Sequence, residues 1–252
     1  MGVAIAGEET IIHTDETMQT TPTALLGLGF LLGLRHALDV DHLAAVSTLV
    51  STRRTLWGAS IVGAVWGLGH TTALLLASIG MIALHTQIPP ALARGLELCV
   101  ALMLVGLGAN LLRTLRRGGH VHLHEHTHDG HTHVHPHVHA PGAESSHQHA
   151  RVGGRPFVVG LVHGLAGSAG LMLVVLATIP SPALAFGYVA VFGVGSLGGM
   201  MAMSSLIGMP LALAAERFGR VERVLKAGAA LASIAVGSAL AWSIGIDAGL
   251  LS

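Results

Sequence analysis

Long apolar stretches alternate with short polar or proline-containing segments along most of the chain. A helix needs about 20 apolar residues to cross about 30 Å of hydrocarbon, and six stretches reach that length. This pattern predicts an all-α polytopic membrane protein with six transmembrane helices. The predicted spans cover residues 22–50, 56–85, 91–113, 156–180, 183–209 and 224–246.

Composition supports lipid as the surroundings of most of the chain. Hydrophobic residues make up 52% of the 252 residues, charged residues only 10%, and the mean hydropathy is +0.68. Soluble domains average about 25% charged residues. The formal net charge is zero, so nucleic acid is not an expected partner. The single cysteine, Cys99, excludes an intramolecular disulfide.

The distribution of basic residues predicts the orientation. Residues 1–21 are acidic and lack the basic start of a signal peptide, so we expect an extracytoplasmic tail. The face of the termini has only Arg94, and the positive-inside rule therefore places the other face in the cytoplasm. The chain is predicted to lie in the cytoplasmic membrane with both termini outside. The basic residues of the predicted cytoplasmic connections are Arg53, Arg54, Arg113, Arg116, Arg117, Arg151, Arg155, Arg217, Arg220, Arg223 and Lys226.

An internal repeat divides the chain into two halves. The sequence Gly-Leu-Arg-His-Ala-Leu at 33–38 returns as Gly-Leu-Val-His-Gly-Leu at 160–165. With three spans in each half, the second half starts from the opposite side of the membrane. Residues 22–113 and 156–252 are therefore predicted to form an inverted 3+3 repeat, a transporter design with its site near the midplane.

Four ionisable residues fall within seven positions of the first span: His36, Asp39, Asp41 and His42. Each such group at mid-bilayer costs a few kcal/mol, and histidine with carboxylate suits a divalent first-row transition metal. On a regular helix His36, Asp39 and His42 share a face, whereas Asp41 joins them only if the helix is broken. A metal site is favoured over a polar cluster that merely holds helices together.

Two further histidines lie in other spans. His70 follows Gly69 in the second span, and His163 stands opposite His36 in the repeat. Either side chain alone is also consistent with a hydrogen bond between helices. The predicted intramembrane site consists of His36, Asp39, Asp41, His42, His70 and His163.

The connection at 114–155 is rich in histidine, with twelve between positions 120 and 149. Histidines two residues apart chelate divalent transition metals through neutral imidazole. We expect a cytoplasmic loop that is disordered without metal and captures ions, although a simple spacer is the alternative. The predicted capture residues are His120, His122, His124, His126, His128, His131, His133, His135, His137 and His139.

Residues 35–42, Arg-His-Ala-Leu-Asp-Val-Asp-His, resemble the RHAxDxDH signature of the nickel/cobalt transporter (NiCoT) family. The Gly69-His70-Thr71 segment is similar to that family's second motif, and residues 160–169 resemble its UreH-like branch. The resemblance implies secondary uptake of Ni²⁺ or Co²⁺ as transported substrate rather than cofactor, with His36, Asp39, Asp41 and His42 essential. Typical members have eight spans, whereas this chain is predicted to have six.

The expected function is therefore a Ni²⁺/Co²⁺ permease, with uptake favoured over efflux. The chain lacks a P-loop lysine motif, a Cys-x-x-Cys pair and a Gly-x-Ser-x-Gly elbow, and it is not expected to be an enzyme. Three alternatives stay open. They are an efflux protein that uses the histidine-rich loop for cytoplasmic capture, a membrane-anchored metallochaperone linked to urease maturation, and an intramembrane metalloenzyme. The expected partners are membrane lipid, the divalent ion and a cytoplasmic metallochaperone.

Overall fold

Seven α-helices and one β-hairpin make up the described part of the chain. The computed structural model describes residues 21–84, 88–117, 121–128, 131–138, 154–179 and 181–247. The first half contains α1 (Pro22–His36), α2 (Val40–Val50), α3 (Leu56–Leu84) and α4 (Pro90–Arg116). The hairpin consists of β1 (Val121–His128) and β2 (His131–Val138), and the second half contains α5 (Arg155–Thr178), α6 (Pro182–Arg217) and α7 (Gly219–Asp247).

Proline marks the start of three of these helices. Pro22, Pro90 and Pro182 each occupy the first helical position, where the missing N–H costs no hydrogen bond. Thr21 caps α1 by accepting a hydrogen bond from the amide of Ala24 at 3.3 Å. The prolines and the polar residue between the apolar stretches therefore mark where these helices begin.

Several helices have the length and hydropathy of membrane spans. Four of them, within α3, α4, α6 and α7, pass this test among the described residues, and the bent pair α1–α2 makes a fifth if it is one span. The remaining predicted span, 156–180, forms α5. The side chains of α5 are described only as far as Gly167. The chain is thus a multi-pass helical protein, and the count of six spans remains a prediction.

The two halves interleave rather than lie side by side. Helices α3 and α6 pack against each other at the centre, with α1 against α6 and α5 against α3. Helix α4 packs against α7, and α2 lies between α4, α6 and α7. Each half therefore supplies walls to the region in which α1 ends and α2 begins.

Glycines bring the central helices into close contact in matching positions of the two halves. A Cβ at Gly33 of α1 would collide with the carbonyl oxygen of Phe192 in α6. A Cβ at Gly160 of α5, the repeat counterpart of Gly33, would collide with the carbonyl oxygen of Trp66 in α3. The hydroxyl of Ser196 also donates a hydrogen bond to Gly33 O at 3.2 Å. Small residues thus permit the close backbone approach that membrane helices use in place of hydrophobic burial.

The histidine-rich connection contains a β-hairpin, and its disorder in the absence of metal stays a prediction. Strands β1 and β2 pair antiparallel, and four histidine positions of one strand stand opposite four of the other. Histidine alternates with valine, threonine and other residues, and this alternation has the two-residue period of a strand. The period explains why strands form in this segment. The paired positions are His122 with His137, His124 with His135, His126 with His133, and His128 with His131.

Candidate metal-binding site

The predicted site lies at a break between two helices. Helix α1 ends at His36, α2 begins at Val40, and the two differ in direction by 57°. Across the break the amide of Leu38 donates to Arg35 O at 2.9 Å, and that of Asp39 donates to His36 O at 3.1 Å. These bonds to carbonyls three residues back form a tight turn. The break brings Asp41 into the cluster, as the sequence predicts for a broken helix.

Asp41 connects the two halves of the chain at this point. Its Oδ1 accepts a hydrogen bond from the amide of His42 at 2.9 Å and lies 3.1 Å from His42 Nδ1. Its Oδ2 lies 2.8 Å from His163 Nε2 on α5. Because Asp41 is in the first turn of α2, the helix N-terminus also stabilises its negative charge.

Four imidazoles gather around this carboxylate. His42, His70 and His163 are buried, with relative exposures of 1%, 0% and 1%, while His36 is partly exposed. The ring centroid of His42 lies 4.2 Å from that of His163, 4.5 Å from that of His36 and 5.3 Å from that of His70. Three separate helices, α2, α3 and α5, therefore deliver buried histidines to one place beside the end of α1.

The donor atoms fall into two overlapping groups. One contains His36, His42 and His70, and the other contains Asp41, His42 and His163. Within each group, one ligand atom per residue lies within 4.8 Å of the others. Imidazole nitrogen and carboxylate oxygen are a donor set that first-row divalent metals accept. His42 belongs to both groups, so the two groups share one residue.

Asp39 occupies the edge of the cluster. Its Oδ2 lies 2.7 Å from His36 Nδ1, and its side chain is 52% exposed. It belongs to neither donor group found among the described residues. A carboxylate on the far nitrogen of a ligating histidine fixes ring orientation and tautomer, and Asp39 is positioned to do this for His36. Arg35, next to His36, is exposed.

Several buried nitrogens at the site have no hydrogen-bond partner among the described residues. They include both ring nitrogens of His70, as well as His42 Nε2 and His163 Nδ1. A buried polar group left unpaired costs about 1–3 kcal/mol. The cluster therefore contains several buried ring nitrogens that are left without a hydrogen bond, as in a site that binds a ligand.

Trp66 is part of the site, although it is not among the site residues predicted from the sequence. Its ring centroid lies 5.4 Å from that of His42 and 5.9 Å from that of His163, and its buried Nε1 lacks a partner among the described residues. The available signal was its position one helical turn before His70, which puts both residues on one face of α3. Phe192 of α6 contacts His36 from the other side at 5.5 Å between centroids.

The predicted capture histidines belong to the connection between α4 and α5. The hairpin register positions given above include His122 to His128 and His131 to His137, whereas His120 and His139 fall outside the described residues. The acidic tail at 1–20 also falls outside them.

The fold and the site define the class: a polytopic helical membrane protein with a buried histidine–carboxylate cluster at a broken helix. No protein-family model matches the chain, and no solved structure matches it. Similar sequences do exist. The chain is 32% identical over 231 residues to the urease accessory protein UreH of Bacillus sp. (strain TB-90), covering 90% of this chain and 94% of that one.

Two further relatives match over less of their length. The Arabidopsis thaliana chloroplast protein FOR GROWTH AND FERTILITY 2 is 27% identical over 213 residues, which cover 84% of this chain and 54% of that one. A high-affinity nickel transport protein of Cupriavidus necator is 39% identical over 67 residues, or 26% of this chain and 18% of that one.

The chain belongs to the family of the urease accessory protein UreH, and its similarity to a nickel transport protein is consistent with the UreH-like branch of the NiCoT family. The family prediction made from residues 35–42 and 160–169 is therefore confirmed. The bacterial relatives are named as accessory and transport proteins, which agrees with the prediction that the chain is not an enzyme.

Proposed function

We propose that the chain is a permease of the cytoplasmic membrane that carries Ni²⁺ or Co²⁺ through the histidine–carboxylate cluster. The observation that carries the proposal is the convergence of Asp41, His42, His70 and His163 inside a multi-pass helical protein. Buried ionisable groups in a membrane are costly and mark ion pathways. The similarity to a protein named for nickel transport supports nickel as the substrate.

The cluster has the chemistry to select a transition metal. Imidazole ligands favour such an ion over Mg²⁺ and Ca²⁺, which prefer oxygen, and the carboxylate of Asp41 offsets part of its charge. A metal ion bound in the cluster would give one of the two unpaired ring nitrogens of His70 a partner. In this proposal His36, Asp41, His42, His70 and His163 bind the ion, and Asp39 orients His36.

The inverted 3+3 repeat is part of the proposal, and matched contacts between the halves support it. The Gly33 contact with Phe192 corresponds to the Gly160 contact with Trp66. The same relationship holds in reverse, because a Cβ at Gly195 would collide with Phe30 O and one at Gly69 with Phe157 O. Rocking of the two halves would then expose a site between them to each side in turn.

Uptake is the direction we propose. A membrane potential negative inside favours inward movement of a dication by about 4–5 kcal/mol per 100 mV. The predicted orientation puts the histidine-rich connection in the cytoplasm. There the histidines of the hairpin, with His120 and His139, would retain arriving ions and pass them to a cytoplasmic metallochaperone. Efflux, with the same histidines concentrating ions at the entrance, is the alternative direction.

The test is ⁶³Ni and ⁵⁷Co flux in proteoliposomes of known orientation. Wild-type protein should accumulate metal, and His36→Ala should abolish the accumulation. Gly106→Ala is the matched control, because a Cβ at Gly106 of α4 meets no atom within 4 Å, and it should transport like wild type. Equal flux in wild type and His36→Ala would exclude the assigned site. Flux only from the cytoplasmic face would reverse the direction.

A further inference from the structure

A groove of about 420 Å³ opens next to Asp41. It runs between the first turn of α2 and the second half of α7. Its lining is apolar except at two points, the carboxylate of Asp41 and the hydroxyl of Ser243. The lining residues are Val40, Asp41, Val236, Ala239, Leu240 and Ser243.

The helix break explains why this groove exists. Helix α7 packs against α2, whereas α1, turned 57° away from α2, packs against α6. The bend therefore withdraws α1 from α7 and leaves a gap beside Asp41. In the second half, the unbroken α5 packs against both α3 and α4. The gap thus follows from the bend between α1 and α2.

The charge of Asp41 favours water over lipid in the groove. The side chain of Asp41, which lines the groove, is 32% exposed. A carboxylate facing hydrocarbon costs a few kcal/mol or more, and broken helices at membrane depth occur where they are buried in protein or line water-filled cavities. The hydroxyl of Ser243 donates to Leu240 O at 2.8 Å, so the oxygen of Ser243 retains lone pairs that can accept from a hydrated ion.

We propose that the groove between α2 and α7 is the access route by which a divalent metal ion reaches Asp41, opening toward the membrane face at which α7 ends. The inference rests on the proposed function. Asp41 is the first ligand on this route, since it lines the groove, and His42 behind it is buried. From His42 the ion has access to both donor groups. The basic residues near the start of α7, Arg220, Arg223 and Lys226, put that end in the cytoplasm by the positive-inside rule, so the groove opens to the outside.

Cysteine accessibility tests the route. In a Cys99→Ala background, Ala239→Cys and Ser243→Cys place a thiol in the groove. Ser238→Cys is the control, because Ser238 is exposed at the same depth of α7 but does not line the groove. A membrane-impermeant cationic methanethiosulfonate, applied to right-side-out vesicles, should modify positions 239 and 243 and spare 238. Ni²⁺ should slow modification at 239 several-fold, and adding Asp41→Asn should remove that protection.

Three results would overturn the route. Thiols at 239 and 243 that react no faster than the one at 238 would mean that lipid or a second copy of the chain fills the groove. Modification only in inside-out vesicles would reverse the side on which it opens. Reactive thiols without protection by Ni²⁺ would mean a water-filled groove that the metal does not use.

The flux measurement separates this inference from the proposed function. If wild-type protein moves ⁶³Ni and His36→Ala does not, while the groove thiols stay unreactive, only the route is wrong. If wild-type protein moves no metal, the proposed function fails whatever the labelling shows.

Discussion

The Nε2 atom of His163 lies 2.8 Å from Oδ2 of Asp41, although α5 and α2 belong to different halves of the chain. The contact depends on the helix break, because only the first turn of a separate α2 directs Asp41 toward α5. A movement of one half against the other must therefore lengthen this contact or carry both side chains along. In the proposed transport cycle, the contact between His163 and Asp41 links the geometry of the cluster to the relative position of the two halves.

The first prediction compares the two aspartates. Asp41→Asn removes a carboxylate that belongs to a donor group, and the affinity for Ni²⁺ should fall by more than about 100-fold, whereas Asp39→Asn, which affects only the orientation of His36, should cost about tenfold. Equilibrium dialysis of purified protein with ⁶³Ni measures both. A larger loss in Asp39→Asn than in Asp41→Asn would mean that the exposed carboxylate is the ligand.

The second prediction uses Trp66 as a reporter of the site. The chain has three tryptophans, and Trp57 and Trp242 are exposed at 74% and 61%, whereas Trp66 is buried against His42 and His163. In a Trp57→Phe/Trp242→Phe variant, titration with Ni²⁺ or Co²⁺ should quench most of the indole emission, because these ions quench at contact distances.

The reverse variant is the control for that titration. Trp66→Phe keeps the two exposed tryptophans, and its emission should change little on adding the same ions. Quenching of equal size in Trp66→Phe would show that the ions act at the protein surface and not in the cluster.

The third prediction concerns the glycine contacts between the halves. An added methyl group at Gly33 or Gly160 meets a backbone carbonyl that cannot move without displacing a helix. Gly33→Ala and Gly160→Ala should each destabilise the protein by about 1–3 kcal/mol, the usual range for overpacking. The measurement is the apparent melting temperature in detergent. Gly106→Ala, which meets open space, should leave it unchanged or raise it slightly, and equal behaviour of all three variants would contradict the close packing.

Much of the site is predictable from the sequence because its signals are local or repeated. Charged residues inside an apolar run selected His36, Asp41 and His42, and the repeat together with the Gly-His motif added His163 and His70. Whether Asp41 joins them depends on a break in the helix. Aspartate and valine at positions 39–41 are only mediocre helix formers, so the sequence permits a break there without requiring one.

Other features needed the three-dimensional arrangement. Trp66 lies in an ordinary apolar run, and only the fold shows that α3 turns it toward His42. On a regular helix Asp39 would share the face of His36 and His42, yet its position before the first turn of α2 leaves it at the edge of the cluster. The hairpin at 121–138 agrees with the two-residue alternation of its sequence. The expectation of disorder there came from composition alone.

The last prediction separates the membrane cluster from the histidine-rich connection. Replacing residues 120–149 by a Gly/Ser linker removes twelve histidines but leaves the helices and the cluster intact. If the cluster carries the ion, ⁶³Ni flux in proteoliposomes should stay within about twofold of wild type, since a surface segment between elements tolerates replacement. The amount of Ni²⁺ bound at equilibrium should fall by at least one ion per chain. Adding His36→Ala to this variant should then abolish the remaining flux. If the linker variant instead loses all flux while its cluster still binds Ni²⁺, the connection and not the cluster performs the function, as expected of a membrane-anchored metallochaperone.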